Sequence, residues 1–202
     1  MSVRRRRFVT GESAWHPRAL ILIGFMGAGK SCVGRALAAK LGWAFADLDE
    51  RIERSTGRKI AEIFRESGEA EFRRLEHAAL KTVLVGLRSG RGKVIALGGG
   101  AFVQAANISL IEAARIPTVF LDAEVEELWS RCEQQAREDS VERPLMASRD
   151  RFRDLHEQRR PKYMKATLRV ETGGKSIDFV VAEVIRGLGL TGARSRGKGD
   201  KR

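Results

Sequence analysis

The chain predicts an α/β fold of three layers, α/β/α, around a central five-stranded parallel sheet. Three observations carry this. Five short apolar runs alternate with helical patterns along 202 residues. Buried strands that alternate with helices make a parallel sheet covered on both faces. The first run, ALILIG at 19–24, leads straight into GFMGAGKS at Gly24 to Ser31, a G-x-x-x-x-G-K-S phosphate-binding loop placed between a strand and a helix.

Each element follows in order. ALILIG is a buried strand, and residues 29–41 are the helix leaving the loop. WAFADLD at 43–49 is a strand ending in carboxylates. Helical spacing of apolar residues marks 50–55, 59–67 and 69–87. KVIALGGG at 93–100 is a strand that stops at three glycines. ISLIEAARI at 108–116 is helical, TVFLDA at 118–123 is a strand, and EVEELWSRCEQQ at 124–135 is helical. Residues 134–148 are polar and predict an irregular loop, of a length that often serves as a lid. A charged amphipathic helix at 148–166, a strand at 167–172 and a last helix at 176–188 complete the pattern. Right-handed crossovers place the C-terminal ends of all the strands along one edge, outside which ligands bind.

Composition narrows the class. The length suits one domain with a full core. No apolar run is long enough to span a bilayer, and the start lacks the apolar segment of a secretory signal. Cys32 and Cys132 are the only cysteines and lack metal-type spacing, which suits a reducing cytoplasm. The net charge of +12 is uneven: residues 1–18 carry +4, residues 192–202 carry +4, and the middle keeps only +4. This predicts a basic disordered extension at 1–17, a folded domain at 18–190 and a basic disordered tail at 191–202. Neither end has the interleaved aromatics or fold signature of a nucleic-acid binder.

The residue types indicate phosphoryl chemistry. Backbone N–H groups from Gly27, Ala28, Gly29, Lys30, Ser31 and Cys32 would cradle phosphates. The Lys30 side chain reaches the β- and γ-phosphates, and the Ser31 hydroxyl is a ligand for Mg²⁺. Asp47 and Asp49 lie two apart at a strand end, so strand geometry turns both to one side. One would orient Mg²⁺ and the other accept a proton, or Asp49 is a helix cap. Gly98, Gly99 and Gly100 permit close approach to a ligand, or form a plain turn. The pairs Arg73/Arg74 and Arg159/Arg160 suit a carboxylate or phosphate, or a solvated helix face. Arg143, in ERPLM, sits on the lid segment, where it would stabilise a transferring phosphoryl group. Cys32 reads as a small buried thiol; His16, His77 and His156 read as incidental, and the tryptophans as packing.

Together these pieces resemble the shikimate kinase family, over about Arg18 to Leu190. The matching stretches are GFMGAGKSCVGRALAAKLG, FADLDERIE, GRKIAEIFRESGEAEFRRLE, VIALGGGAFV, ERPLM and RRPKYMKATLRV, in that order. The resemblance implies a P-loop kinase of the nucleoside-monophosphate-kinase-like fold, with a substrate-binding helical region at about 48–80 and a lid at 134–148. It implies transfer of the γ-phosphoryl group of ATP to the 3-hydroxyl of shikimate, by a monomer that uses Mg²⁺. Asp49 would then contact the acceptor hydroxyls and act as base. Arg73 and Arg159 would clamp the shikimate carboxylate, with Gly99 and Gly100 beside the ring. Ser31 and Asp47 would serve the metal, and Arg143 would descend with the lid. Phe64 and Phe72 match apolar positions near the substrate, Glu76 would orient an arginine, and Arg131 and Lys175 lie where the family contacts adenine. Cys32 departs from the family's usual Thr or Ser, and the stretch between Arg131 and Arg143 is longer than usual. Rival readings are another small-molecule kinase, such as a gluconate or nucleotide kinase, a non-catalytic sensing module, and a nucleic-acid binder built on the tails.

Overall fold

Five parallel strands form the middle layer of the computed structural model, which describes residues 18–87, 91–139 and 148–190. They are β1 (Ala19–Ile23), β2 (Ala44–Asp47), β3 (Lys93–Ala96), β4 (Thr118–Asp122) and β5 (Leu168–Glu171), in the order β2-β3-β1-β4-β5. The helices are α1 (Lys30–Leu41), α2 (Leu48–Thr56), α3 (Ile60–Val85), α4 (Ala105–Ala113), α5 (Val125–Asp139), α6 (Arg149–Tyr163) and α7 (Ile177–Leu188). A single 3₁₀ turn, Ala101–Val103, precedes α4.

The strand sequences explain the order. Every residue of β1 and β4 is buried, as continuous apolar runs require in the middle of a sheet. The two edge strands mix buried and exposed positions. The chain steps two places one way from β1 to β2, and every later step runs the other way. Right-handed crossovers therefore put α1 on one face and α2 to α6 on the other. After β5 the chain returns to the first face, where α7 packs along α1.

Element ends differ from expectation in two places that bear on the site, and agree at a third. Strand β2 stops at Asp47, whose side chain accepts a hydrogen bond from the Asp49 N–H at 3.0 Å and caps α2. Asp49 thus stands on the first turn of a helix, so strand geometry is not what turns it toward Asp47; a capping aspartate outcompetes continued pairing. The helices expected at 59–67 and 69–87 are both present within the α3 span, separated by a kink at Gly68, whose φ 77° and ψ 174° are not helical. Helix α5 runs to Asp139, so residues 134–139 are helical, not irregular. Their sequence, QQARED, holds no helix breaker. The rest of the expected lid, with Arg143, lies outside the described residues, as do both basic ends.

One buried acid ties the second half of the sheet together. Asp122, 3% exposed at the end of β4, accepts from Arg160 Nη2 of α6 and from Arg169 Nε of β5, each at 2.8 Å. Asp122→Leu should lower stability by about 2 kcal/mol, because two guanidinium groups lose a shared partner. A urea unfolding midpoint unchanged from wild type would contradict this.

Candidate active site

The phosphate loop links the end of β1 to the start of α1. Gly27 has φ 78°, and a methyl group there would lie 2.5 Å from the Leu128 carbonyl oxygen and 2.9 Å from Cys132 Sγ. The loop is pressed onto α5, and only glycine fits. Lys30 Nζ donates to the carbonyls of Gly24 at 3.0 Å and Phe25 at 2.9 Å, which folds the ammonium over the loop. Ser31 Oγ donates to Asp47 Oδ2 at 2.6 Å. Cys32 is exposed, contrary to the buried thiol expected. In this first turn of α1 it is Val33 and Gly34 that face inward.

The glycine turn after β3 brings together three more of the expected site side chains. A methyl group on Gly98 would lie 2.5 Å from Asp49 Oδ1. One on Gly99 would lie 3.7 Å from Arg159 Nη1, 3.6 Å from the Met26 nitrogen and 3.8 Å from the Gly24 carbonyl. One on Gly100 would lie 2.5 Å from both terminal nitrogens of Arg73. The three glycines thus receive a carboxylate from α2, a guanidinium from α6 and a guanidinium from α3, beside the start of the phosphate loop. Gly98, expected with its two neighbours to permit close approach, was not assigned to the acceptor with Gly99 and Gly100; it is the residue against which Asp49 packs.

The electrostatics of the turn are uneven. Asp49 Oδ1 is buried and has no hydrogen-bond partner. Burial, reinforced by the neighbouring Asp47 charge, pushes the Asp49 carboxyl up to about 7, while Lys30 pulls the other way. Arg73 is held by fully buried Glu76 at 2.9 Å and by Glu69 at 3.0 Å. Burial raises the Glu76 carboxyl more than Arg73 lowers it, and its Oε1 has no partner. Arg159 lies over the Phe25 ring, 5.8 Å from its centroid, and Arg73 over that of Phe72 at 5.1 Å. The Phe64 and Phe72 rings meet at 4.6 Å. The second member of each arginine pair goes elsewhere: Arg74 binds Glu71 at the surface, and Arg160 binds Asp122.

Arg131 and Lys175 both meet the Thr172 carbonyl, Arg131 through its side chain and Lys175 through its backbone N–H. Arg131 donates to the Thr172 carbonyl at 2.9 Å, to Glu127 at 2.6 Å and to the Gly27 carbonyl at 3.5 Å. Glu127 also accepts from the Gly174 N–H at 3.0 Å. Lys175 Nζ stands 5.4 Å from the centre of the Phe179 ring. Glu127 and Thr172 carried no sequence signal. Two histidines read as incidental have structural work: His77 Nδ1 pairs with buried Asn107 at 2.8 Å, and His156 is 7% exposed and edge-on to Phe25.

A phosphate loop on the central strand, a carboxylate poised near neutrality and two guanidinium groups at one turn define a P-loop kinase for a small anionic acceptor. Comparison with known proteins supplies the family. The family model for shikimate kinase matches residues 26–188. The shikimate kinase of Persephonella marina is 37% identical over 169 residues, covering 83% of this chain and 97% of that protein. That of Caulobacter vibrioides is 42% identical over 174 residues, covering 85% and 82%. The structure of Acinetobacter baumannii shikimate kinase in complex with shikimate superposes with a TM-score of 0.75 at 34% identity, covering 85% of this chain and 92% of that one. The chain belongs to the shikimate kinase family, and its activity is ATP-dependent phosphorylation of shikimate.

Gly98→Ala would force the Asp49 carboxylate out of its seat. Turnover should fall about 100-fold, the cost of roughly an ångström of misplacement, while nucleotide affinity stays within threefold. Steady-state kinetics beside a nucleotide titration would show this; turnover within threefold of wild type would contradict it.

Proposed function

We propose that Asp49 is the general base that takes the proton from the 3-hydroxyl of shikimate as that oxygen attacks the γ-phosphorus of ATP. The products are shikimate 3-phosphate and ADP. The observation that carries this is the unpartnered, buried Asp49 Oδ1, seated on Gly98 within the ring made by the phosphate loop, Arg73 and Arg159. A base must lie within hydrogen-bond reach of its proton and near the working pH in strength.

The other residues divide the work. Arg73 and Arg159 grip the acceptor carboxylate from two helices, with Gly99 and Gly100 against the ring. Backbone N–H groups of Gly27 to Cys32 hold the phosphates, and the positive end of α1 adds to them. Lys30 moves its ammonium from the Gly24 and Phe25 carbonyls onto the β- and γ-phosphates. Arg131 and Lys175 flank the adenine. Arg143 is assigned to charge on the transferring group. Closure of the site around the acceptor would keep water from ATP.

The donors fit a magnesium ion. Ser31 Oγ and Asp47 Oδ2 are adjacent oxygen donors beside the phosphate loop. No cluster of three or more His, Cys, Asp or Glu among the described residues forms an all-protein metal cage. Mg²⁺ keeps waters and takes phosphate oxygens, so it needs few protein ligands. When bound, it supplies neutralising charge at the phosphates of ATP. We assign the chain as a cytoplasmic monomer, without a nucleic-acid or membrane partner. Two cysteines without metal spacing suit a reducing compartment, and no helix among the described residues is long and apolar enough to cross a membrane.

A coupled assay of ADP release with shikimate, quinate, gluconate and nucleoside monophosphates tests the acceptor; shikimate should be preferred, and equal turnover of gluconate would overturn the reading. The same assay tests the base. Asp49 must be ionised to act, so kcat/KM for shikimate should fall tenfold per pH unit below about pH 7. Asp49→Asn should lose at least 100-fold in kcat and lose that acid limb, with nucleotide affinity kept. Turnover within a few-fold of wild type would remove Asp49 from the role.

A further inference from the structure

Tyr163, the last residue of α6, is a buried tyrosine that the mechanism above does not use. It is 1% exposed, and its ring lies against Phe120 of β4 with centroids 5.3 Å apart. A buried tyrosine keeps its hydroxyl only where that hydroxyl has partners. Here it has one hydrogen-bond partner and one cationic neighbour, and both belong to the proposed acceptor site. The phenol donates to the Gly99 carbonyl, and the Arg159 guanidinium is close enough to act on the phenol electrostatically. Burial raises the phenol to about 12, so the group stays a donor at any working pH.

The tether is specific to Gly99. The chain beyond the turn has its own anchors: Asn107 Nδ2 donates to the Ala101 carbonyl at 3.0 Å, and Lys162 Nζ to the Val103 carbonyl at 2.8 Å. The turn also abuts the phosphate loop at Gly24 and Met26. A shift of the Gly99 peptide would therefore alter the acceptor seat while leaving the rest of the fold anchored.

We propose that Tyr163 is a positioning residue for acceptor binding: its hydroxyl fixes the Gly99 carbonyl and the Arg159 guanidinium relative to each other. The proposal rests on the reading that Arg159 and the glycine turn bind the acceptor. Tyr163 touches neither substrate nor reacting atoms. It works by holding two contacts of the acceptor, carried on separate elements, in one geometry, so that the clamp is ordered before the acceptor arrives.

Tyr163→Phe removes one oxygen and keeps the ring packing. It should raise the KM for shikimate about tenfold and leave the KM for ATP within twofold. Introduced into Arg159→Ala, the same change should cost less than threefold, because the guanidinium that the hydroxyl helps to place is already gone. Val184→Ala, a cavity in α7 remote from the turn, is the control for simple loss of stability. It should lower the melting temperature without moving either KM. An unchanged shikimate KM in Tyr163→Phe, equal rises in both KM values, or a full tenfold loss repeated in the Arg159→Ala background would each overturn the proposal. If Arg159→Ala itself leaves the shikimate KM unchanged, the reading of the acceptor site fails; if Arg159→Ala raises it and Tyr163→Phe does not, only the positioning role fails.

Discussion

The site depends on close approach to a backbone that carries no side chains. Three glycines follow β3, and each leaves room for one side chain of the proposed site: Asp49 at Gly98, Arg159 at Gly99 and Arg73 at Gly100. Those groups come from α2, α6 and α3, which share no local sequence. The sheet brings them together because β3 lies between β2 and β1. Its C-terminal end therefore opens between the capping turn of α2 and the phosphate loop. With any β-carbon at Gly98 or Gly100, a functional side chain would have to withdraw.

That approach has an electrostatic consequence. Asp49 is packed against the turn with one oxygen lacking a partner, and burial raises its carboxyl toward neutrality. Burial makes its ionisation costly, and in the proposed role that cost would keep it basic enough to accept a proton at neutral pH. The surroundings are arranged to hold this state. Glu76 and Glu69 fix Arg73, and the Lys30 ammonium stays on carbonyls of its own loop. The fully buried strands β1 and β4 supply the apolar core against which a strained polar site can persist.

Much of this was legible in the amino-acid order. The five apolar runs gave the strands, and GFMGAGKS with its flanking strand and helix gave the phosphate site. Those signals are local, set by periodicity and by backbone rules within a few residues. The misreadings have the same origin. Asp47 and Asp49 looked like two strand positions, since nothing local says whether an aspartate continues a strand or caps a helix. Cys32 looked buried because thiols usually are, while its exposure depends on which face α1 turns to the sheet. Gly98, Glu127, Thr172 and Tyr163 matter through partners 40 or more residues away along the chain, across element contacts that periodicity does not encode. The identity of the acceptor was legible only by resemblance, since a carboxylate clamp alone fits many small acids.

The most direct test of the account is the ionisation of Asp49 itself. The carboxyl carbon of Asp49 can be followed by ¹³C NMR across pH in the unliganded enzyme, with Asp49→Asn to assign the signal. A midpoint near 7 is the predicted result. A midpoint near 4, the ordinary value of an exposed aspartate, would contradict the account, because the carboxylate would then be neither buried on the glycine turn nor tuned to take a proton.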